Sequence, residues 1–268
     1  MTAAQDLNTK LRLESVFRAS LEQYQRRQVR EFTRRFGMTG NPPNFADDNP
    51  ALEVLLFDHY VTVGDVFSDQ IRGNLPEDVA ITDNEEEIIA AALLAWYLTR
   101  APRAAAEINT TTQEDAGRAM LAANEERADN PELSALEAAA IGGAVLNRSL
   151  TGRLTAIVMT ETQVPAETAK ATEADVLSGL PPPTRGQAAR QADVVKEWVS
   201  IGDSKVRPAH LDADGQKQPL NDPFIVGGQL LRWPGDEGLG ATADNIINCR
   251  CGAEYDENGI IRIRRARA

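Results

Sequence analysis

The 268-residue sequence has few aromatic residues, only two cysteines, only two histidines and no long apolar run. Because Phe, Trp and Tyr make up 5% of the chain, the predicted core consists mainly of alanine, leucine, isoleucine and valine in helices. Two cysteines cannot form the disulfide framework of a small secreted domain, which fits a reducing compartment. No apolar run approaches the ~18–20 residues that span a bilayer, and residues 1–10 are polar. We therefore expect no membrane segment, no signal peptide and synthesis in the cytoplasm.

Positive charge is scarce overall, and it is unevenly placed. The net charge is −12, with +4 over residues 1–36, −14 over residues 37–148 and −2 over residues 149–268. The acidic middle would repel the backbone of a nucleic acid. We interpret the arginines of residues 26–35 as a solvated helix face.

Hydrophobic periodicity predicts a helical region over residues 1–149. Apolar residues recur there at the three- and four-residue spacing of amphipathic helices. The expected helices are 11–36, ended by Gly37; short pieces within 50–72; about 84–100, after a cap at Thr82 or Asp83; one opening at Thr110-Thr111-Thr112; and Pro131 to about Leu146.

The character of the chain changes after Leu150, where a second domain over residues 150–268 is predicted. Glycine, proline and short apolar runs dominate from Gly202 onward. The predicted fold class is α+β, with a helical N-terminal region followed by a small mixed domain of short antiparallel strands. Its expected elements are a helix over 153–178 that Pro165 starts or kinks, a proline-rich linker at 179–184, a short helix from Asp193 to Ser200, a hairpin at Gly227-Gly228 and a last strand at 260–263.

The last third of the chain carries an ordered set of residues that together resemble a known signature. The set comprises Trp198; Asp203, Val206-Arg207 and His210; Asp214-Gly215; Phe224; Pro234-Gly235-Asp236; and Asn248-Cys249-Arg250-Cys251. This order resembles the C-terminal signature of the Mu protein F-like family of phage head-morphogenesis proteins, also called minor head proteins. Upstream, Thr160-Glu161 matches a Thr-Glu pair at the end of a helix in that family, and Met159 stands where arginine is usual. The resemblance covers about residues 150–255.

The resemblance implies a structural protein of a tailed-phage or prophage virion. Such a protein acts in head morphogenesis and capsid assembly, inside the capsid or at the portal vertex, after assembly in the host cytoplasm. The implied partners are the portal protein, capsid and scaffold proteins, and packaged DNA, with no membrane. Residues 1–149 would then dock on the portal or capsid, since amphipathic helices bury well against partner helices.

The residues themselves leave two interpretations of Cys249-x-Cys251 open. Side chains two positions apart on an extended chain point to the same side, so both thiols can approach one metal ion. Zinc usually takes four Cys or His ligands, and His210 with Asp203, Asp212 or Asp214 would complete the set. The favoured alternative has no cofactor: the thiols are small buried apolar groups, and His210 is hydrogen-bonded to an aspartate.

A polar cluster with His210 close to the two cysteines is expected, and it also suggests a rival function. If residues 203–210 are helical, Asp203 and Arg207 pair at i, i+4. Together with His210 they would suit acid–base chemistry in a toxin-like or nucleic-acid-processing enzyme. The structural interpretation is favoured, because no nucleophile stands beside a matching base. The full predicted cluster is Asp203, Arg207, His210, Asp214, Asn248, Cys249 and Cys251.

The C-terminal tail concentrates positive charge at Arg262, Arg264, Arg265 and Arg267. Alternation of Ile261 and Ile263 with arginines predicts a strand with one basic face. That face would contact phosphates of packaged DNA without sequence preference, or it would protect a sheet edge from aggregation.

Overall fold

The computed structural model describes residues 3–79, 81–179 and 194–265 and has the predicted α+β fold. Four long helices are followed by short strands and short helices. None of the described helices combines the length and apolar composition needed to cross a bilayer. The elements are α1 (Ala3–Thr39), α2 (Asn49–Arg72), α3 (Asp83–Asp129), α4 (Ala135–Leu177), β1 (Val195–Val199), α5 (Pro208–Asp212), β2 (Lys217–Pro219), β3 (Phe224–Val226), β4 (Gln229–Leu231), α6 (Ala243–Ile246), β5 (Gly252–Tyr255) and α7 (Glu257–Arg265).

The long helices confirm the predicted helical region, but they are fewer and longer than the sequence pattern suggested. No described residue before position 150 lies in a strand. The stop predicted at Gly37 is wrong: α1 continues to Thr39, and Gly40, at φ +71°, ends it by donating to the Phe36 carbonyl at 2.8 Å. The cap predicted at Thr82 is confirmed, because Thr82 and Glu85 exchange side-chain-to-backbone hydrogen bonds.

The helix start predicted at Thr110-Thr111-Thr112 is wrong, since α3 runs through these residues; α4 runs through Pro165, which therefore does not start a helix, and the alternative of a kink there stays a prediction. Proline removes one helical hydrogen bond, and threonine lowers helix propensity by a fraction of a kilocalorie. Both costs are local. Nearly every residue from Thr160 to Ala171 is buried, so tertiary packing holds the helix across Pro165.

Short antiparallel strands form two small sheets. One has the order β2-β1-β5, with Trp198 opposite Ala253 and Lys196 opposite both Gln218 and Tyr255. The other is the predicted β3–β4 hairpin, which Gly227 and Gly228 close with positive φ angles of 57° and 76°. Such angles suit glycine, so this local signal specified the turn correctly.

Two predictions of secondary structure in the C-terminal part are corrected. The segment predicted as a helix up to Ser200 contains strand β1, whose alternating burial and pairing on both edges override its helical spacing. The strand predicted at 260–263 is part of helix α7, in which Glu257 occupies the first turn and Ile260 is fully buried. Of the linker predicted at residues 179–184, residues 180–184 lie outside the described residues.

The chain forms two compact units that alternate along the sequence. Unit 2 has a helical core of phenylalanine, leucine and alanine, in which Phe32, Leu146 and Leu150 are almost fully buried. Unit 1 contains all described strands. Unit 1 comprises Met1–Glu14, Tyr60–Tyr97 and Met159–Ala268, and unit 2 comprises Ser15–His59 and Leu98–Val158. The domain boundary predicted after residue 149 falls within α4, and the separate roles assigned to the two parts stay predictions.

The core of the strand-containing part of unit 1 is where the sequence signature converges. Trp198, Phe224 and both cysteines belong to one buried cluster, together with Ala213, Val226, Leu231 and Ala253. Trp198 is fully buried, whereas Trp233 packs against the cluster and is partly exposed.

Candidate metal centre

His210, Cys249 and Cys251 bring three metal-ligating atoms together in the core of unit 1. The His210 Nδ1 atom lies 3.5 Å from the Sγ atom of each cysteine, and the three ligand atoms lie within 4.8 Å of one another. The three residues are at most 2% exposed. The predicted proximity of His210 to the cysteine pair is thus observed.

These distances match those of a tetrahedral zinc site. With Zn–N near 2.0 Å and Zn–S near 2.3 Å, tetrahedral angles place a nitrogen and a sulfur ligand about 3.5 Å apart. The two observed N–S separations of 3.5 Å fit this geometry, and His210, Cys249 and Cys251 supply three of the four ligands that zinc usually takes. Imidazole and thiolate are also the donor types that zinc prefers over oxygen ligands. The cluster can therefore hold a metal ion.

Local backbone structure explains how the ligands meet. Arg207 is extended at ψ 146°, as expected for the residue before a proline, and α5 then starts at Pro208 and carries His210. On the other side, Asn248 adopts a left-handed conformation with φ +58° between α6 and the first cysteine. Asparagine tolerates this region better than most residues, so the chain can turn sharply there and direct both thiols inward.

Asn245 fixes the orientation of the histidine ring. Its Nδ2 group donates to the Val226 carbonyl at 3.2 Å, which leaves its Oδ1 atom facing His210 Nε2 at 3.3 Å. An amide oxygen accepts a hydrogen bond, so Nε2 is the donor in this contact. In the neutral ring, Nδ1 then directs its lone pair at the two sulfurs, which is the tautomer that a metal requires.

Aromatic rings enclose the centre. The Trp198 ring meets the His210 ring edge-on, with centroids 5.5 Å apart, and the Phe224 ring packs edge-on against Trp198 at 5.4 Å. These rings exclude water and lower the local dielectric, which strengthens electrostatic interactions inside the cluster.

The pKa values of the two thiols are shifted in opposite directions. The Cys251 thiol donates to Cys249 and lowers the pKa of that thiol below its usual value, although burial opposes the effect. The neighbouring Cys249 thiolate and burial raise the pKa of Cys251 far above its usual value. The cluster therefore stabilises one thiolate beside one thiol, and a bound cation would favour ionisation of the second.

Helix α4 supports the backbone on both sides of the cysteine pair. Thr160 accepts a hydrogen bond from the Asn248 amide at 3.2 Å, and Gln163 donates to the Cys251 carbonyl at 2.5 Å. Glu167 accepts from the Ala253 amide at 2.8 Å. Thr160 belongs to the Thr-Glu pair of the sequence resemblance, so the upstream motif and the cysteine motif are in direct contact.

The predicted aspartate ligands lie outside this centre. Asp203 forms a two-point ion pair with Arg250, with distances of 2.7 and 2.8 Å, and the Asp214 carboxylate accepts from the Ser200 amide at 2.6 Å. Asp212 is exposed. Instead of an aspartate, the amide of Asn245 contacts the His210 ring.

The predicted pairing of Asp203 with Arg207 is wrong. Residues 203–206 form a turn, because Pro208 disfavours helical geometry at the preceding residue and α5 starts only there. Arg207 instead donates to the Ile247 carbonyl. The Arg250 guanidinium holds the pKa of Asp203 below its usual range. These contacts stabilise the surface loops around the buried centre.

The described part of the basic tail lies in α7, within unit 1. Arg264 binds the Glu85 carboxylate at 2.6 and 3.0 Å and donates to the carbonyls of Val79 and Leu177. Arg262 lies 3.4 Å from Asp256 and is largely exposed. The side chain of Arg265 and the whole of Arg267 are outside the described residues.

Several residues with structural roles in this region cannot be identified from the sequence pattern. Asn245 and Gln163 carry no local signal, because an Asn or Gln in a short or long helix is ordinary. Asp236 belongs to the recognised Pro-Gly-Asp motif, yet it was not predicted as a site residue. It accepts four hydrogen bonds from Arg232 and Gly238 and so fixes the loop after β4.

Comparison with protein-family models, with curated proteins and with solved structures finds no match for this chain.

Proposed function

We propose that this chain is a minor head protein of a tailed phage or prophage, acting in head morphogenesis near the portal vertex. One observation carries the proposal: residues of the ordered signature, spread from position 198 to position 251, converge on one buried centre. Residues that pack around one centre constrain one another, which is a physical reason for the signature residues to occur together in a fixed order. The hydrogen bond from Asn248 to Thr160 adds the upstream motif to the same centre.

In this proposal the centre is structural and holds one zinc ion. The segment between β1 and β5 has little regular secondary structure, and its core contains few aromatic residues. A metal cross-link would therefore contribute directly to folding. His210, Cys249 and Cys251 would supply three of the four ligands, and Asn245 would orient the histidine.

The proposed location is the capsid interior or the portal vertex, after assembly in the host cytoplasm. The proposed partners are the portal protein and the capsid and scaffold proteins, and helices of the N-terminal part provide amphipathic faces for docking. Contact with packaged DNA is part of the proposal and rests on the exposed Arg262 and the adjoining tail.

The described contacts offer no support for the rival enzyme. Asp203 and Arg207 bind Arg250 and the Ile247 carbonyl, while the His210 ring faces two sulfurs and an amide. The three predicted catalytic residues therefore have separate partners.

The virion assignment is tested by mass spectrometry of particles purified from an induced lysogen that carries the gene. We expect the chain in intact heads at a few copies per particle, with the portal protein as the internal standard. Its absence from heads that contain the portal protein would overturn the assignment.

The zinc assignment is tested by elemental analysis of protein purified under reducing conditions without chelator. We expect about one zinc ion per chain, as for a single tetrahedral site. Cys251→Ser should lose the metal, whereas the control Asp203→Asn, altered outside the centre, should retain it. If the wild-type protein is purified without metal and does not bind added zinc, this part of the proposal is refuted. The virion assignment is tested separately.

A further inference from the structure

A buried lysine on the central strand of the larger sheet lies outside the metal centre. Lys196 is 2% exposed and shares the inner face of β1 with Trp198. Its ammonium donates to the Arg232 carbonyl at 2.7 Å and lies 5.2 Å from the centroid of the Phe224 ring. An ammonium has three N–H donors, and buried donors normally have partners. Lys196 therefore has capacity for a further acceptor.

Beside Lys196 is a cavity of about 200 Å³. Asp175 at the end of α4, Lys196 on β1, Trp233 after β4 and Tyr255 on β5 contribute to its wall, as do Asn221 and Arg232. A water molecule occupies about 30 Å³ of liquid, so the cavity has room for several waters or for a small ligand.

Two further donors at this cavity lack a partner. The indole Nε1 of Trp233 and the hydroxyl of Tyr255 are both buried and form no hydrogen bond with the described part of the chain. An indole N–H can only donate, and a buried donor without an acceptor costs free energy. A molecule in the cavity that offers several acceptors would satisfy both groups once the two side chains turn toward it.

The cavity wall carries two cations, Lys196 and Arg232, and one carboxyl group, Asp175, whose pKa burial raises to about 6. Burial lowers the pKa of Lys196 to about 8, and Asp175 opposes this effect, so the side chain is still mostly cationic at neutral pH. Burial raises the pKa of Tyr255 well above its usual value, which keeps its hydroxyl protonated and able to donate. Arg232 adds a second cation, although Asp236 binds its guanidinium at 2.7 and 2.9 Å.

We propose that this cavity binds a small tetrahedral oxyanion, a phosphate group, through Lys196, Trp233 and Tyr255. The three donors come from three different elements, β1, the loop after β4 and β5, and a tetrahedral ion presents oxygens in several directions at once. Hydrogen bonds between an ammonium and an anionic oxygen are among the stronger ones in proteins. The phosphate belongs either to inorganic phosphate or to a small phosphomonoester, and the site does not depend on the proposed zinc ion.

The experiment is a titration of the full chain with inorganic phosphate at constant ionic strength, followed by the indole N–H resonances in NMR spectra. We expect saturable binding that shifts the Trp233 resonance and leaves that of Trp96 in place. Lys196→Met should weaken binding at least about tenfold. The matched control Lys217→Met removes an exposed lysine of the neighbouring strand β2 and should leave the affinity unchanged.

Further variants and ligands keep the test decisive. Tyr255→Phe removes only one oxygen atom and should weaken binding several-fold, so it replaces Lys196→Met if the latter does not fold. Glycerol phosphate binding more tightly than inorganic phosphate would identify a phosphomonoester as the ligand, and the reverse order would identify the free ion. Shifts that do not saturate, equal losses in Lys217→Met, or acetate binding as tightly as phosphate would overturn the proposal.

Discussion

Replacement of Glu167 by glutamine tests how the region of the metal centre is held to helix α4. The Glu167 carboxylate is fully buried, and one oxygen lies 2.7 Å from the ammonium groups of both Lys10 and Lys170. Its other oxygen accepts from the Ala253 amide at the start of β5. Asp6 completes the cluster at 3.0 Å from Lys170, so two buried cations face two anions.

Glu167→Gln removes one negative charge without a change in size and leaves an uncompensated cation in the core. Although burial disfavours the charged form, Glu167 and Asp6 hold the pKa of Lys10 above its usual value in the wild type, and Glu167→Gln leaves Asp6 alone to oppose the effect of burial. Breaking a buried ion pair by removal of one partner costs about 3–5 kcal/mol. That loss is a large part of the ~5–15 kcal/mol of stability of a typical folded protein.

Urea unfolding followed by tryptophan fluorescence measures this loss selectively, because Trp96, Trp198 and Trp233 all lie in unit 1. The control is Glu197→Gln, which breaks the exposed pair of Glu197 with Lys217 and should cost less than about 1 kcal/mol. If Glu167→Gln lowers the free energy of unfolding no more than the control does, the buried cluster does not anchor β5 and the reasoning fails.

Three further predictions concern pH, the hairpin and the tail. Burial raises the pKa of Glu173 from 4.5 to about 7, so stability from this group is full below pH 4.5 and is lost as the pH rises through 7. Glu173→Gln should flatten the pH profile of the unfolding free energy by roughly 3 kcal/mol over that interval, and an unchanged profile would contradict this. Gly227→Ala should lower the melting temperature more than Gly228→Ala, because both have positive φ but only the former would place a Cβ 3.2 Å from the partly buried Ala209 methyl group of α5; equal losses would argue against that contact. For DNA binding, Arg262→Ala should reduce the slope of log affinity against log salt by about 0.9, and Arg264→Ala by less, since an internal ion pair already neutralises it; no binding even at low salt would end the DNA proposal.

Local patterns in the sequence determined the fold class and much of the secondary structure. Phe17, Leu21 and Tyr24 recur at helical spacing and are buried in α1. Gly227-Gly228 between apolar triplets specified the β3–β4 hairpin, because few residues other than glycine adopt that turn. Helix periodicity and turn geometry depend on neighbours within a few residues, so they can be read without the tertiary structure.

The sequence also brought His210, Cys249 and Cys251 together as one candidate cluster, through the ordered signature and the types of their side chains. It failed where distant contacts outweighed local preference. Helix α4 continues through Pro165 because the residues around it are buried. Residues 260–263, predicted as a strand, belong to α7, whose Arg264 forms an ion pair with Glu85, 179 positions away. The pairing predicted between Asp203 and Arg207 lost to an ion pair with Arg250 across 47 positions.

Only the tertiary structure decided which polar groups are buried and what they face. Lys196 resembles any exposed strand lysine until the packing of β1 places it inside beside an open cavity. Asn245 becomes the group that orients His210 only because α5, α6 and the β3–β4 turn meet, and Glu167 meets Lys10 from 157 positions away. The free energy of such groups depends on desolvation and on partners brought together by the whole fold, and no local sequence pattern encodes either quantity.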